Sequence, residues 1–159
     1  MDENMFDLFI MTKLIHFCAV IVMVGATVIN GLIHAEAKRL TPSQAVPMLG
    51  VVLRINRLLM GPSLIVIPAS GLFMMVQAGH DFGSIWIATS FGLSIALIMA
   101  FRIGAKIERQ LHKIASDADF ESQPALPTQY EETFKKAVPL GGGALLMSIT
   151  TVILMIFKP

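Results

Sequence analysis

The sequence predicts an all-α integral membrane four-helix bundle, and three observations carry that prediction. Four apolar stretches, near residues 10–33, 58–78, 84–104 and 138–157, each approach the roughly 20 residues that a helix needs to cross a bilayer. Hydrophobic residues make up 55% of the 159, and mean hydropathy is +0.72, more apolar surface than one soluble domain of this length can bury. Third, the basic residues are divided unequally between the connections that these spans imply. A single domain, 1–159, takes in all four spans.

With four spans, the 34–57 and 105–137 connections share one side of the membrane; both termini and the 79–83 turn share the other. Ten of the twelve basic residues fall on the first side: Lys38, Arg39, Arg54, Arg57, Arg102, Lys106, Arg109, Lys113, Lys135 and Lys136. Only Lys13 and Lys158 fall on the second. Cationic loops are retained in the cytoplasm, so the expectation is a multi-pass protein of a bacterial inner (plasma) membrane with both termini outside. An odd number of spans would scatter the bias.

The first apolar run ends in an A-x-A-like "HAEA" at 34–37, the kind of site at which signal peptides are cleaved. However, the run is about 20 residues long against 7–15 for a signal core, and it begins with Asp2, Glu3 and Asp7 rather than with basic residues. It reads as a retained helix. The second helix begins early: Thr41 and Pro42 form a cap and first-turn pair, and the amphipathic stretch after them places its start about three turns below the membrane. Pro62 and Pro68 should kink it. The "QAGHDFG" turn makes helices two and three antiparallel neighbours, and helix three runs on through "FRIGAKIERQLHKIASD" into the cytoplasm. "SDADFESQPALPTQ" is the one expected flexible linker, and Gly141, Gly142 and Gly143 in helix four permit close packing or a local break.

Several function classes fall away. Net charge is +1, which gives no nucleic-acid partner, and the lone Cys18 admits neither an internal disulfide nor a cysteine-cluster metal site. There is no nucleophile elbow, phosphate loop, HExxH or carboxylate pair within a span, which argues against hydrolase chemistry but not against redox chemistry carried by a cofactor.

Polar residues inside the spans carry the rest. Steps of four and three along helix one give His16, Val20, Met23, Thr27, Asn30 and His34; eighteen residues are five turns, so both histidines share a face. Ser63, Ser70 and Gln77, Ser90 and Ser94, and Ser148 and Thr151 are weaker counterparts on the other helices. Facing inward, these residues should bond between helices, each bond worth roughly 0.6–2 kcal/mol. His16 stands apart, about two turns inside the outer boundary, where an ionisable residue points to function. It is a candidate metal or haem ligand, or a protonatable group on an ion path. His34 is about 27 Å away along the helix and cannot share an iron with it. His112 lies on the cytoplasmic extension, and His80 in the outer turn is the other histidine on the right side. A single-histidine site, or one shared across a dimer, stays open, as does a copper site recruiting Met11 or Met75. Arg54 and Arg57 are candidates for pairing with a bound carboxylate, such as a porphyrin propionate, with lipid phosphate or with Glu36. The line Arg102, Lys106, Arg109 and Lys113 reads as snorkelling contact with anionic lipid.

The ordered motifs "KLIH" at 13–16, Gly25, "RINRLLMGP" at 54–62, "SGL" at 70–72, Trp86 and "MIFKP" at 155–159 resemble a family of small four-span bacterial proteins, the 2269 family of predicted integral membrane proteins of unknown function. More distantly, "HAEA" and the 54–62 segment resemble J-type protoporphyrinogen oxidases, and the chain is also similar to copper-resistance D-type membrane domains. The J-type resemblance implies a haem-associated bundle with His16 as the haem ligand. Its histidine and lysine early in helix three are replaced here by "WIATSF" at 86–91, and Met23 stands where an aromatic is common. The leading expectation is therefore a haem b or related redox cofactor near the outer leaflet. Its rivals are a non-enzymatic accessory subunit or assembly factor, and a proton or metal-ion transporter. The bilayer is the expected partner, with a homo-oligomer or a larger membrane complex admitted.

Overall fold

A computed structural model describes residues 3–118 and 125–158. Five α-helices account for nearly all of them: α1 (Glu3–Ala37), α2 (Pro42–Ile55), α3 (Gly61–Gln77), α4 (Ile85–Ser116) and α5 (Thr128–Phe157). A five-residue π-helical turn, Asn56–Met60, joins α2 to α3, so Pro42–Gln77 is one continuous rod. Four rods result, each long and apolar enough to cross a bilayer. At 1.5 Å per residue α1 and α4 measure about 50 Å, well beyond the roughly 30 Å of hydrocarbon, so both stand proud of the membrane. The central part of the expected linker, residues 119–124, and the terminal Pro159 lie outside the described residues.

α4 pairs most extensively with α5, and α1 with α3; α2 packs on both α4 and α1. The molecule thus has two ends. The start of α1, the end of α5 and the turn after α3 lie at one end, the terminal end, and the α1–α2 turn, the end of α4 and the start of α5 at the other, the basic end. At the basic end Ala37, Ala45, Leu49, Leu111, Ala115 and Tyr130 form a core no more than 1% exposed. α2 enters it after Thr41, whose N–H donates to Oε1 of Gln44, 3.4 Å away, while Pro42 occupies the first turn, where its missing N–H costs nothing. Between the ends the pattern inverts: Ile21, Leu32, Ile65 and Val76 face outward, and the buried set includes His16, Asn30, Ser63, Ser70, Ser90, Ser94, Ser148 and Thr151. This is the polarity expected of a bundle whose solvent is lipid.

One expectation gains detail and another needs correcting. At Pro62, where the sequence predicts a kink, the helix carries a π turn. Proline lacks the N–H that would bond four residues back and its ring crowds that carbonyl, so the preceding turn widens and the Gly61 N–H reaches the Asn56 carbonyl, five residues back. A Cβ at Gly61 would stand 3.2 Å from that same oxygen, which is why glycine suits the position. The hydroxyls, second, mostly do not bond across helices. Thr27, Ser94, Ser148 and Thr151 each donate to the carbonyl four residues back in their own helix, at 2.7–2.9 Å. In an apolar medium that carbonyl is the nearest available acceptor.

Candidate functional site

The α1 stripe lines two separate chambers, one toward each end. His16 reaches the terminal-end chamber, a cavity of about 240 Å³ whose walls also include Lys13, Met74, Met75, His80 and Trp86. His16 is 5% exposed, and its Nδ1 lies 2.8 Å from Ser70 Oγ on α3. The proton of Ser70 is already committed, because Oγ sits 2.5 Å from the Val66 carbonyl. Ser70 must therefore accept from His16 Nδ1–H, which leaves Nε2 as the bare lone pair of the neutral ring. That Nε2 is buried and has no hydrogen-bond partner. Gly71 on α3 faces the ring: a Cβ there would make an ordinary 3.6 Å contact with His16 Cε1.

His80, at the rim of the same chamber, packs edge-on against Trp86 with ring centroids 5.8 Å apart, and Lys158 Nζ lies 5.6 Å from the Trp86 ring. The structure thus brings His16, His80 and Met75 to one cavity. Met11 faces outward instead. Arg54 and Arg57 are not brought to it: both are exposed, and Arg57 stands about 20 Å from Ser70 along the same rod. Nor do they meet Glu36, which pairs on the surface with Arg39 at 3.9 Å. Among the described residues no group of three or more His, Cys, Asp or Glu is gathered closely enough to hold a metal ion.

The basic-end chamber is larger, about 460 Å³, and holds a polar chain that the sequence reading missed. Asn30 on α1 donates through Nδ2 to Asn56 Oδ1 at 2.8 Å, and Asn56 donates through its own Nδ2 to Glu108 Oε2 on α4. His34 Nε2 stands 3.6 Å from Glu108 Oε1, too far for a hydrogen bond. Asn30, His34 and Asn56 are each at least 94% buried, and Glu108 is 16% exposed at its side chain. The π turn positions Asn56, and such turns concentrate at functional sites. Between the chambers lies a constriction of about 20 Å³, room for roughly one water, lined by apolar residues such as Met23, Leu64 and Leu97 beside Ser94, Ser148 and Thr151.

A family model described as "Predicted integral membrane protein (DUF2269)" matches residues 10–159. The chain belongs to this family. No curated protein and no solved structure matches it. The DUF2269 match takes in the whole lining of the basic-end chamber and all of the terminal-end chamber's except Phe9.

Proposed function

We propose that this DUF2269 protein sits in a bacterial inner membrane with its terminal end outward, and there holds a redox cofactor, a haem b or a copper ion, through His16. One observation carries the reading: a buried imidazole, on a residue that lines a cavity, whose Nδ1–H is fixed by Ser70 while Nε2 has no hydrogen-bond partner. A histidine that serves only packing has no need of a free lone pair in an apolar wall, since an unmatched buried acceptor costs about 1–3 kcal/mol.

The donor set fits such a group. Imidazole nitrogen suits both iron and copper, and thioether sulfur from Met74 or Met75 suits copper. His80 is the second imidazole within the chamber. The volume, about 240 Å³, lies under the roughly 300–1,000 Å³ that encloses a drug-sized ligand, so a porphyrin would be held with part of its ring in lipid. When bound, the group supplies one-electron chemistry. The chain itself orients the ligand nitrogen through Ser70 and keeps water away with Phe9, Phe17 and Trp86. Arg54 and Arg57 serve lipid phosphate at the opposite face. A transport role would require a path through the constriction at Met23, Leu64 and Leu97, which leaves room for only about one water.

Protein purified in mild detergent from haem- and copper-replete cells should show a Soret band or near-stoichiometric copper. His16→Ala should remove it while the helical circular dichroism and elution volume stay unchanged. A colourless, metal-free wild-type preparation would sink the proposal and return the protein to an accessory-subunit or assembly role.

A further inference from the structure

The basic-end chamber poses a different chemical question, independent of any group at His16. Its hydrogen-bonding sense can be read off the chain. As a carboxylate Glu108 can only accept, so Asn56 must turn its amide nitrogen toward it and its oxygen toward Asn30. Asn30 then spends its nitrogen on Asn56 Oδ1 and on the Met60 sulfur, 3.4 Å away, and its own Oδ1 is left over. That oxygen is buried without a partner, as are both ring nitrogens of His34. Glu108 Oε1 stands 3.6 Å from His34 Nε2, beyond hydrogen-bond reach. The polar chain therefore carries three spare acceptors (Asn30 Oδ1, Glu108 Oε1 and one His34 nitrogen) against two spare donors, one imidazole N–H and the second Nδ2–H of Asn56.

The remaining wall is apolar and partly aromatic. Phe101 and Phe134 line it, and Phe134 already packs on the His34 ring at 5.7 Å between centroids. Leu32 and Val138, both outward-facing, also border the chamber, so it communicates with the lipid-facing surface. Its 460 Å³ lies within the range of small-molecule sites.

We infer that this chamber binds a lipid-soluble dihydroxy aromatic, a quinol, through its hydroxyl donors, in preference to the oxidised quinone. The quinol brings O–H groups to a wall short of donors, and its ring suits the two phenylalanines. The quinone brings carbonyl acceptors alone, can satisfy at most the imidazole and Asn56 N–H groups, and leaves all three acceptors unmatched.

The test is equilibrium binding to the wild-type protein in lipid nanodiscs under argon, with decylubiquinol and decylubiquinone as the probes. The quinol should bind at least tenfold more tightly. Glu108→Gln, which replaces an acceptor by a donor, should bring the two affinities within about threefold of each other. Gly142→Leu should abolish binding of both: Gly142 borders the chamber, and a Cβ there meets no other atom within 4 Å, so a larger side chain has room at the chamber's edge without disturbing the polar chain. Should Glu108→Gln fail to fold, the wild-type preference and the Gly142→Leu loss still decide the matter. Dioleoylglycerol, with a hydroxyl but no ring, should not displace the quinol at equal concentration. Equal affinity for the two redox forms, binding that survives Gly142→Leu, or displacement by the glyceride would each overturn the inference.

Discussion

The two chambers share a helix face but differ in how their polar groups are matched. At the terminal end one histidine meets one serine, and the His16 Nε2 lone pair and the Ser90 hydroxyl are left over. At the basic end three helical rods contribute to a chain in which each link sets the sense of the next, and several acceptors are left over. A spare imidazole nitrogen beside one spare hydroxyl suits a point ligand such as a metal. A directional array of acceptors suits a molecule with donors of its own. Burial depth does not separate the two, since His16 and His34 are 5% and 6% exposed. The count and sign of the unmatched groups do.

If the basic-end chain acts as a unit, breaking its middle link should have the largest effect. Asn56→Leu strands both Asn30 Nδ2 and Glu108 Oε2, and should cost about 3 kcal/mol, since each orphaned buried group costs about 1–3 kcal/mol. Unfolding in mixed SDS–detergent micelles would measure it. Asn56→Leu combined with Glu108→Leu should recover most of the loss, because replacing both partners by apolar groups removes the stranded carboxylate. Additive losses in the double variant would mean that the chain is not coupled.

The terminal-end pair should respond more weakly and in a different observable. Ser70→Ala leaves His16 Nδ1–H without its acceptor, at about 1 kcal/mol. The sharper readout is imidazole ¹⁵N chemical shift in cofactor-free protein. Wild type should show protonated Nδ1 and bare Nε2, and Ser70→Ala should average the two tautomers. A wild-type spectrum with the proton on Nε2 would remove the basis for assigning that atom as the ligand.

Most of the fold was legible in the sequence because lipid removes the alternatives: every backbone group must pair within a helix, so long apolar runs leave one solution. His16 was legible too, through the eighteen-residue spacing to His34. Glu108 was not. It lies among Arg102, Lys106, Arg109 and Lys113, all exposed, and so reads as one more charge on a wet helix face. Yet Ser94, Leu97, Phe101, Gly104, Glu108, Leu111 and Ala115 follow one another by threes and fours, the spacing of a buried stripe, and an acid on that stripe is the signal that could have exposed it. Asn56 sits seven residues before Ser63 and continues the spacing Ser63, Ser70, Gln77 one step back. Its role depends on a π turn and on a partner 52 residues away, and helical periodicity conveys neither.

The constriction between the chambers supplies the smallest expected effect and a check on the whole contrast. Ser148 lines it, but its hydroxyl donates to the Ala144 carbonyl in its own helix at 2.7 Å. A hydroxyl so placed contributes little to holding helices together, and the carbonyl keeps its main-chain bond without it. Ser148→Ala should therefore shift stability by less than about 0.5 kcal/mol, well below the ~1 kcal/mol at Ser70, where the hydroxyl receives a proton from another helix. A loss of 1 kcal/mol or more on micellar unfolding would restore the serines as interhelical glue. The polar interior would then be one continuous adhesive seam, and the division into two chambers with separate chemistry would lose its physical footing.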